Sequence, residues 1–151
     1  MIMIVEEEIR ERFEAMLAMR DRHMGHMLGM EFEYVGREKM VATMPVNENT
    51  IQPFGMLHGG ASVALAESLA SIGAWLNIDD KKKMAAGLEI NANHVRPVRD
   101  GRVRATAVPL HRGAGTQIWE TQIHTTDGKL VCVSRCTVAV IAIRKSVGSG
   151  E

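Results

Sequence analysis

Apolar and polar residues follow one rhythm at the centre of this chain and another on either side of it. From Ala61 to Ile78 the residues are small and apolar on nearly every side, with one ionisable group, Glu67, in the middle. A helix that is apolar all round is a buried helix, so this run predicts a long buried one. Elsewhere the period is two. Met30–Val35 and Lys39–Val46 read as strands joined through Gly36-Arg37-Glu38, which makes a hairpin. After the helix come four more strand-like segments, Met84–Val95, Arg102–His111, Thr116–Thr125 and Leu130–Ile143. Arg99-Asp100-Gly101, Gly113-Ala114-Gly115 and Asp127-Gly128 separate them, and Asp-Gly between alternating segments signals a hairpin. Ahead of all this, Ile9, Phe13, Met16 and Leu17 recur at helical spacing within Glu6–Arg22. Acids crowd the start of that segment, Arg20 and Arg22 its end, and Gly25 suits a stop. The pattern predicts an amphipathic helix lying as a lid on the outside of the core.

The order is helix, two strands, long apolar helix, four strands. A lone apolar helix needs a surface to cover it, and a curled antiparallel sheet supplies one. The expected fold class is α+β, a six-stranded antiparallel sheet wrapped around a long central helix. A chain of 151 residues suits one domain, expected over residues 1–145, with 146–151 as a flexible tail.

Charge narrows the function. Eighteen Lys and Arg balance eighteen Asp and Glu, which argues against a general nucleic-acid or membrane-surface binder. The central apolar run is about long enough to span a bilayer. Yet it holds Glu67, Ser62, Ser68, Ser71 and Gly73, and a carboxylate in lipid is expensive. Cys132 and Cys136 share one face of a strand, too far apart to bridge easily, and read as reduced core thiols. With no signal peptide visible, the expected compartment is the cytoplasm.

Glu67 is the first candidate for chemistry. An unpaired carboxylate inside an apolar helix costs several kcal/mol. Either it reaches a polar interface or a basic partner, or it is retained for a reaction. Nothing basic lies on this helix. His23, His26, His58, His94, His111 and His124 form no ligand spacing, so no metal is expected, and His23 and His26 read as surface or loop residues. No Gly-x-Ser-x-Gly elbow, P-loop or dinucleotide fingerprint occurs.

The segment Gln52-Pro-Phe-Gly-Met-Leu-His-Gly-Gly-Ala-Ser-Val-Ala-Leu-Ala-Glu-Ser68 resembles the signature of the hotdog-fold acyl-CoA thioesterases. The subgroup is the one around the phenylacetate-pathway and hydroxybenzoyl-CoA enzymes. Gly87-Leu-Glu-Ile-Asn-Ala-Asn-His-Val-Arg96 and Gly101-Arg-Val-Arg104 are similar to the dihydroxynaphthoyl-CoA thioesterases and their enterobactin-pathway relative. The likeness runs from about Met27 to Ile143. It implies that Gln52 polarises or places the thioester carbonyl, that His58 supports loop and thioester, and that the Gly59 N–H donates to the carbonyl oxygen. It implies Glu67 as nucleophile or general base, Ser71 as holder of the attacking water, and His94 and Arg96 along the path of coenzyme A. No cofactor is implied, because coenzyme A is part of the substrate.

Those roles meet a constraint of length. Gly59 and Glu67 lie eight residues apart, about 12 Å along a helix axis. One helix cannot bring both to one carbonyl, so two chains must contribute. The resemblance implies the same, a homodimer that pairs into a dimer of dimers. An aryl- or medium-acyl-CoA is the expected substrate, in a pocket lined by residues such as Phe54, Val63 and Ser71. The competing readings are a non-catalytic acyl-CoA-binding module and a hotdog dehydratase acting on acyl-carrier protein.

Overall fold

The computed structural model describes residues 2–143; the expected tail over 146–151 lies outside the described residues. The elements in chain order are β1 (Ile4–Val5), α1 (Glu7–Ala18), α2 (Met24–Met27), β2 (Glu31–Val35), β3 (Met40–Pro45), α3 (Gly59–Leu76), β4 (Lys83–His94), β5 (Arg102–Arg112), β6 (Thr116–Thr125) and β7 (Leu130–Ala142). The strands form one sheet in the order β1-β2-β3-β5-β6-β7-β4. All pairs are antiparallel except β1 with β2.

The sheet curls around α3 as the hydrophobic pattern predicts, but it has seven strands rather than six. The additional one is the two-residue β1, too short to carry a period, which pairs Ile4 with Tyr34 and Val5 with Val35. Asp127-Gly128 does close a hairpin, between β6 and β7, with Gly128 at φ +83°. Asp100-Gly101 does not, because β4 pairs with β7 at one edge while β5 pairs with β3. The chain between β4 and β5 must cross from one to the other, and it passes the start of α3, where Leu57 N–H donates to Val98 O at 2.7 Å.

The core is the inner face of this curl. Leu65, Leu69 and Leu76 of α3 are buried with Met40, Met44, Val103, Ile123 and Trp119. Trp119 lies so close to Gly73 that a Cβ there would come within 2.6 Å of its ring. Its Nε1–H donates to Gln117 Oε1, and Gln117 Nε2 donates to Ala74 O, so the buried polar atoms close a chain between strand and helix.

The first helix differs from expectation at its end. It stops at Ala18, so Arg20 and Arg22 lie beyond it, and Gly25 falls inside α2 instead of terminating α1. The apolar spacing explains this: after Leu17 both Ala18 and Met19 are exposed and give a further turn nothing to bury. The packed part of α1 rests on Ile9 and Phe13, and Phe13 meets Phe32 edge-on at 5.2 Å. Arg12 performs a task the sequence does not advertise. Its guanidinium donates to Trp75 O and Ile78 O and lies over the Trp75 ring, neutralising the carbonyl end of α3, which has no basic residue of its own.

Candidate active site

The loop into α3 is bonded to itself. Gln52 N–H donates to Met56 O, Gly55 N–H donates back to Gln52 O, and His58 N–H donates to Thr50 O. Gly55 turns with φ +76°, a conformation that favours glycine. His58 then caps the helix, its Nδ1 accepting from Gly60 N–H at 2.8 Å. An accepting Nδ1 places the ring proton on Nε2, which is left to donate outward. The bracing role of His58 is therefore built in. Among the described residues, no acceptor takes the Gly59 N–H. The Gln52 side-chain oxygen accepts from Phe54 N–H at 2.5 Å, which leaves its amide N–H groups free to donate.

β4 delivers His94 to the same spot. A Cβ on Gly59 would stand 2.8 Å from His94 Nε2, so the imidazole can rest against the helix start only because position 59 has no side chain. Gln52, Gly59, His94 and Arg96 together line one cleft of about 360 Å³. Arg102, Arg104 and Arg112 are taken up by Glu31, Glu33 and Glu38. Arg96 and Arg99 are different: their guanidiniums reach only backbone oxygens, of Leu130 and Phe54, and no carboxylate among the described residues pairs with them. They border a second cleft of about 400 Å³ that shares Arg96 and Pro97 with the first. Sequence reading weighed Arg99 with Arg96, Arg102, Arg104 and Arg112 at the strand ends and kept only Arg96; the ion pairs that take up the last three and leave Arg99 without a carboxylate are not written in the sequence.

Glu67 and Ser71 stand elsewhere, and Glu67 is not buried. The sheet covers only one side of α3, where Ala61, Leu65, Ala66, Leu69 and Gly73 are buried. The opposite side stays uncovered: Glu67 is exposed, and Val63, Ser68, Ser71, Ile72 and Trp75 are half-buried. The apolar-all-round pattern thus describes a helix whose second face has no cover within its own chain. The Glu67 carboxylate lies against Gly87 of β4, where an added Cβ would come within 3.0 Å of its Oε1. From there to Gly59 is about 12 Å along the axis. The chain therefore gathers Gln52, His58, Gly59, His94 and Arg96 at one end of α3 and holds Glu67 and Ser71 at mid-helix.

Ser68 is accounted for by its own helix, its Oγ donating to Ala64 O. Both cysteines are free thiols and buried. Burial, then the Glu67 and Glu89 carboxylates, push the Cys136 thiol up to about 11, which makes it a poor nucleophile. His23 Nδ1 accepts from His26 N–H at a helix start, and both side chains are exposed. Among the described residues, no group of three or more His, Cys, Asp or Glu side chains is placed to hold a metal ion. No helix among them is long and apolar enough to cross a membrane.

Known proteins share this layout. The profile of the thioesterase superfamily matches residues 54–132, which span the α3 loop, α3, β4 and the strands up to the start of β7. A 1,4-dihydroxy-2-naphthoyl-CoA hydrolase of Escherichia coli is 48% identical over 128 residues, 85% of this chain and 93% of the relative. The enzyme of that name from Listeria monocytogenes is 48% identical over 118 residues, 78% of this chain and 95% of its own. Among solved structures, a mutant thioesterase from Pseudomonas aeruginosa superposes with a TM-score of 0.81 at 43% identity, covering 88% of this chain and 94% of the other. A thioesterase from Haemophilus influenzae gives 0.81 at 42% identity, covering 91% and 93%.

Proposed function

This chain belongs to the thioesterase superfamily, and from that membership we propose that it hydrolyses an acyl-CoA thioester to the free acid and coenzyme A. The observation that carries the reading is the cleft at the start of α3, where Gln52, Gly59 and His94 converge beside an unpaired Arg96. Hydrolysis of a thioester builds negative charge on its carbonyl oxygen. The Gly59 N–H and the positive end of the α3 dipole meet that charge, and the Gln52 amide donates to the same oxygen. Glu67 supplies the carboxylate, attacking the carbonyl itself or taking a proton from water as the water attacks. Ser71, one turn further along the same face, holds that water. Where Glu67 attacks, its oxygen bonds to the carbonyl carbon as the C–S bond breaks, and water then cleaves the resulting anhydride to free acid and Glu67. Where water attacks, its oxygen bonds to that carbon as the C–S bond breaks. In both cases a proton from the water ends on the thiolate, which leaves as free coenzyme A.

The edge strand explains how the two halves meet. β4 is twelve residues long, ends the sheet, and exposes Met84 and Leu88. A long uncovered edge of this kind is a template for pairing with another strand. Two copies of β4 paired antiparallel about a two-fold near Ile90 and Asn91 bring His94 of one chain within about a residue of Gly87 of the other, the irregularity at Leu88 shifting the register by one. His94 marks Gly59, and Gly87 marks Glu67. Pairing of the edges thus brings the helix start of one chain to the carboxylate of the other, and the active unit is a homodimer. Two such dimers pair in turn into a tetramer, as the resemblance implies.

Coenzyme A carries a pyrophosphate and a 3′-phosphate, and the unpaired guanidiniums of Arg96 and Arg99 suit them. Replacing Arg96 with Ala is expected to raise KM for an acyl-CoA by about tenfold, the worth of one lost charge-assisted hydrogen bond. KM for the matching acyl-pantetheine thioester, which has no nucleotide, is expected to stay put. Steady-state kinetics with both substrates checks this, and an equal rise in both would detach Arg96 from the phosphates.

The activity itself is tested by following release of free thiol from benzoyl-CoA with a thiol reagent. Steady release supports the proposal. Tight binding without release would favour a binding module, and loss of an enoyl thioester's absorbance by hydration would favour a dehydratase.

A further inference from the structure

We propose that Thr50 is a positioning residue for the oxyanion half of the site: its buried hydroxyl ties the loop that carries Gln52, and the cap that sets Gly59, to the end of β3. This rests on the thioesterase reading above and deepens it, by naming what holds the two carbonyl donors in place.

Thr50 is 1% exposed and does not border the cleft at the start of α3, so any part it plays is played through its neighbours. Its Oγ1 is used in both directions. It donates to Pro45 O at 2.8 Å and accepts from Asn47 N–H at 2.9 Å. The hydroxyl has one proton, and Asn47 O, at 3.2 Å, is the more distant of its two acceptors. Pro45 is the last residue of β3 and stands in register with Arg102 of β5, so the nearer acceptor belongs to the sheet.

From Thr50 the connection continues through the backbone. Thr50 O accepts from His58 N–H at 2.8 Å, and His58 Nδ1 in turn accepts from Gly60 N–H. Gln52 lies just beyond Thr50, inside the loop that the His58–Thr50 bond and the Ile51–Leu57 bridge close. One short path therefore joins the sheet to Gln52 and to the Gly59 N–H. On its other side the loop is tied by Leu57 N–H to Val98 O and by the Arg99 guanidinium to Phe54 O. Both of those ties lead to the crossover between β4 and β5. Among the described residues, Thr50 supplies the loop's one side-chain bond to a strand.

Oxyanion stabilisation depends on donors that are fixed before the charge arrives. Misplacing such a group by about 1 Å can cost about 10² in rate, even when the cause lies away from the chemistry. Without the Thr50 hydroxyl, Pro45 O and Asn47 N–H lose a partner at a part-buried turn, and the turn must shift to satisfy them. Gln52 and His58 shift with it. Valine has the shape of threonine without the hydroxyl, and serine has the hydroxyl without the methyl, so the two substitutions separate bonding from packing.

The test uses the full-length protein and thiol release from benzoyl-CoA and 2-naphthoyl-CoA. Thr50→Val is expected to lower kcat by at least about tenfold, with Thr50→Ser near wild type. Thr50→Cys, whose thiol is a weak donor, should fall between them, and it decides the matter should the Val variant fail to fold. A double-mutant cycle then locates the effect. In a Gly59→Pro background, which lacks the N–H that Thr50 serves, Thr50→Val should cost markedly less. In a Glu67→Gln background it should cost the full factor, because that carboxylate belongs to the other half of the site. Thr50→Val and Thr50→Cys proteins that lose stability but keep the wild-type kcat, or equal losses in both backgrounds, overturn the positioning role and leave the thioesterase reading standing. A wild type that releases thiol from neither substrate overturns both.

Discussion

Glu67→Gln is expected to lower kcat on an aryl-CoA thioester by at least about a hundredfold, because a positioned carboxylate base commonly supplies 10²–10⁴ in rate. The substitution keeps the size and hydrogen-bonding reach of the side chain and removes its basicity. It should leave KM nearly alone, since the groups proposed for coenzyme A, Arg96 and Arg99, border clefts at the other end of the helix. It should leave folding alone as well. Glu67 is exposed within its own chain and has no ion-pair partner among the described residues, and substitutions at such sites usually move stability by no more than about 0.5 kcal/mol. A purely structural carboxylate makes the opposite forecast, with kcat intact and the melting temperature moved. Measuring kcat and Tm on the same two preparations separates them. A folded Glu67→Gln protein turning over near the wild-type rate would remove the catalytic role.

The sequence carried the helix and the strands because their periods differ so plainly. The small apolar run over α3 and the alternation from β4 to β7 leave little choice of element, and the helix-wrapped sheet follows from the need to cover α3. What the sequence could not carry was which side of α3 is covered. Val63, Ser71, Ile72 and Trp75 fall within the run read as a buried helix, yet are half-buried in the chain by itself. A hydrophobic pattern records that a face will lose its water, without recording whether its own sheet or another molecule removes it. The burial of Glu67 was misread for that reason.

The site residues were legible for a different reason. Loop chemistry is written locally: His58 caps its own helix, Gly55 turns its own loop, and Gly59 is bare because His94 lies against it. Gly87 is harder to see. It reads as an ordinary strand glycine until the structure sets the Glu67 carboxylate against it. The N-terminal packing was also hidden, since Met16 and Met30 look like generic packing residues and border one pocket only when α1 folds back over the sheet. Arg12, at the far end of α3, shows the same limit: its contacts with Trp75 O and Ile78 O lie more than sixty residues away in the chain.

Two variants that are each inactive are expected to restore one another. Gly59→Pro removes the proposed oxyanion donor outright, because proline has no N–H. Position 59 is the first residue of α3, where the helix backbone tolerates proline, and His58 at φ −69° and ψ 130° already has the backbone that proline asks of its predecessor. The new Cβ would also displace His94, whose Nε2 it would meet at 2.8 Å, so both effects fall on the same half of the site. Loss of one such donor commonly costs about 10²–10³ in kcat, and Glu67→Gln costs a comparable factor. In a heterodimer of the two variants, one site joins the intact Gly59 of the first chain to the intact Glu67 of the second. The other site collects both lesions. Two-fold symmetry then predicts about half the wild-type activity per dimer, a gain of roughly a hundredfold over either parent. If each chain built its site alone, every site in the heterodimer would carry one lesion and activity would stay at the parental level. Co-expression with two different affinity tags, sequential purification and a thiol-release assay distinguish the outcomes. The expectation stands on one length, the 12 Å or so of helix between Gly59 and Glu67, which no rotamer of the Glu67 side chain can close within a single copy of α3.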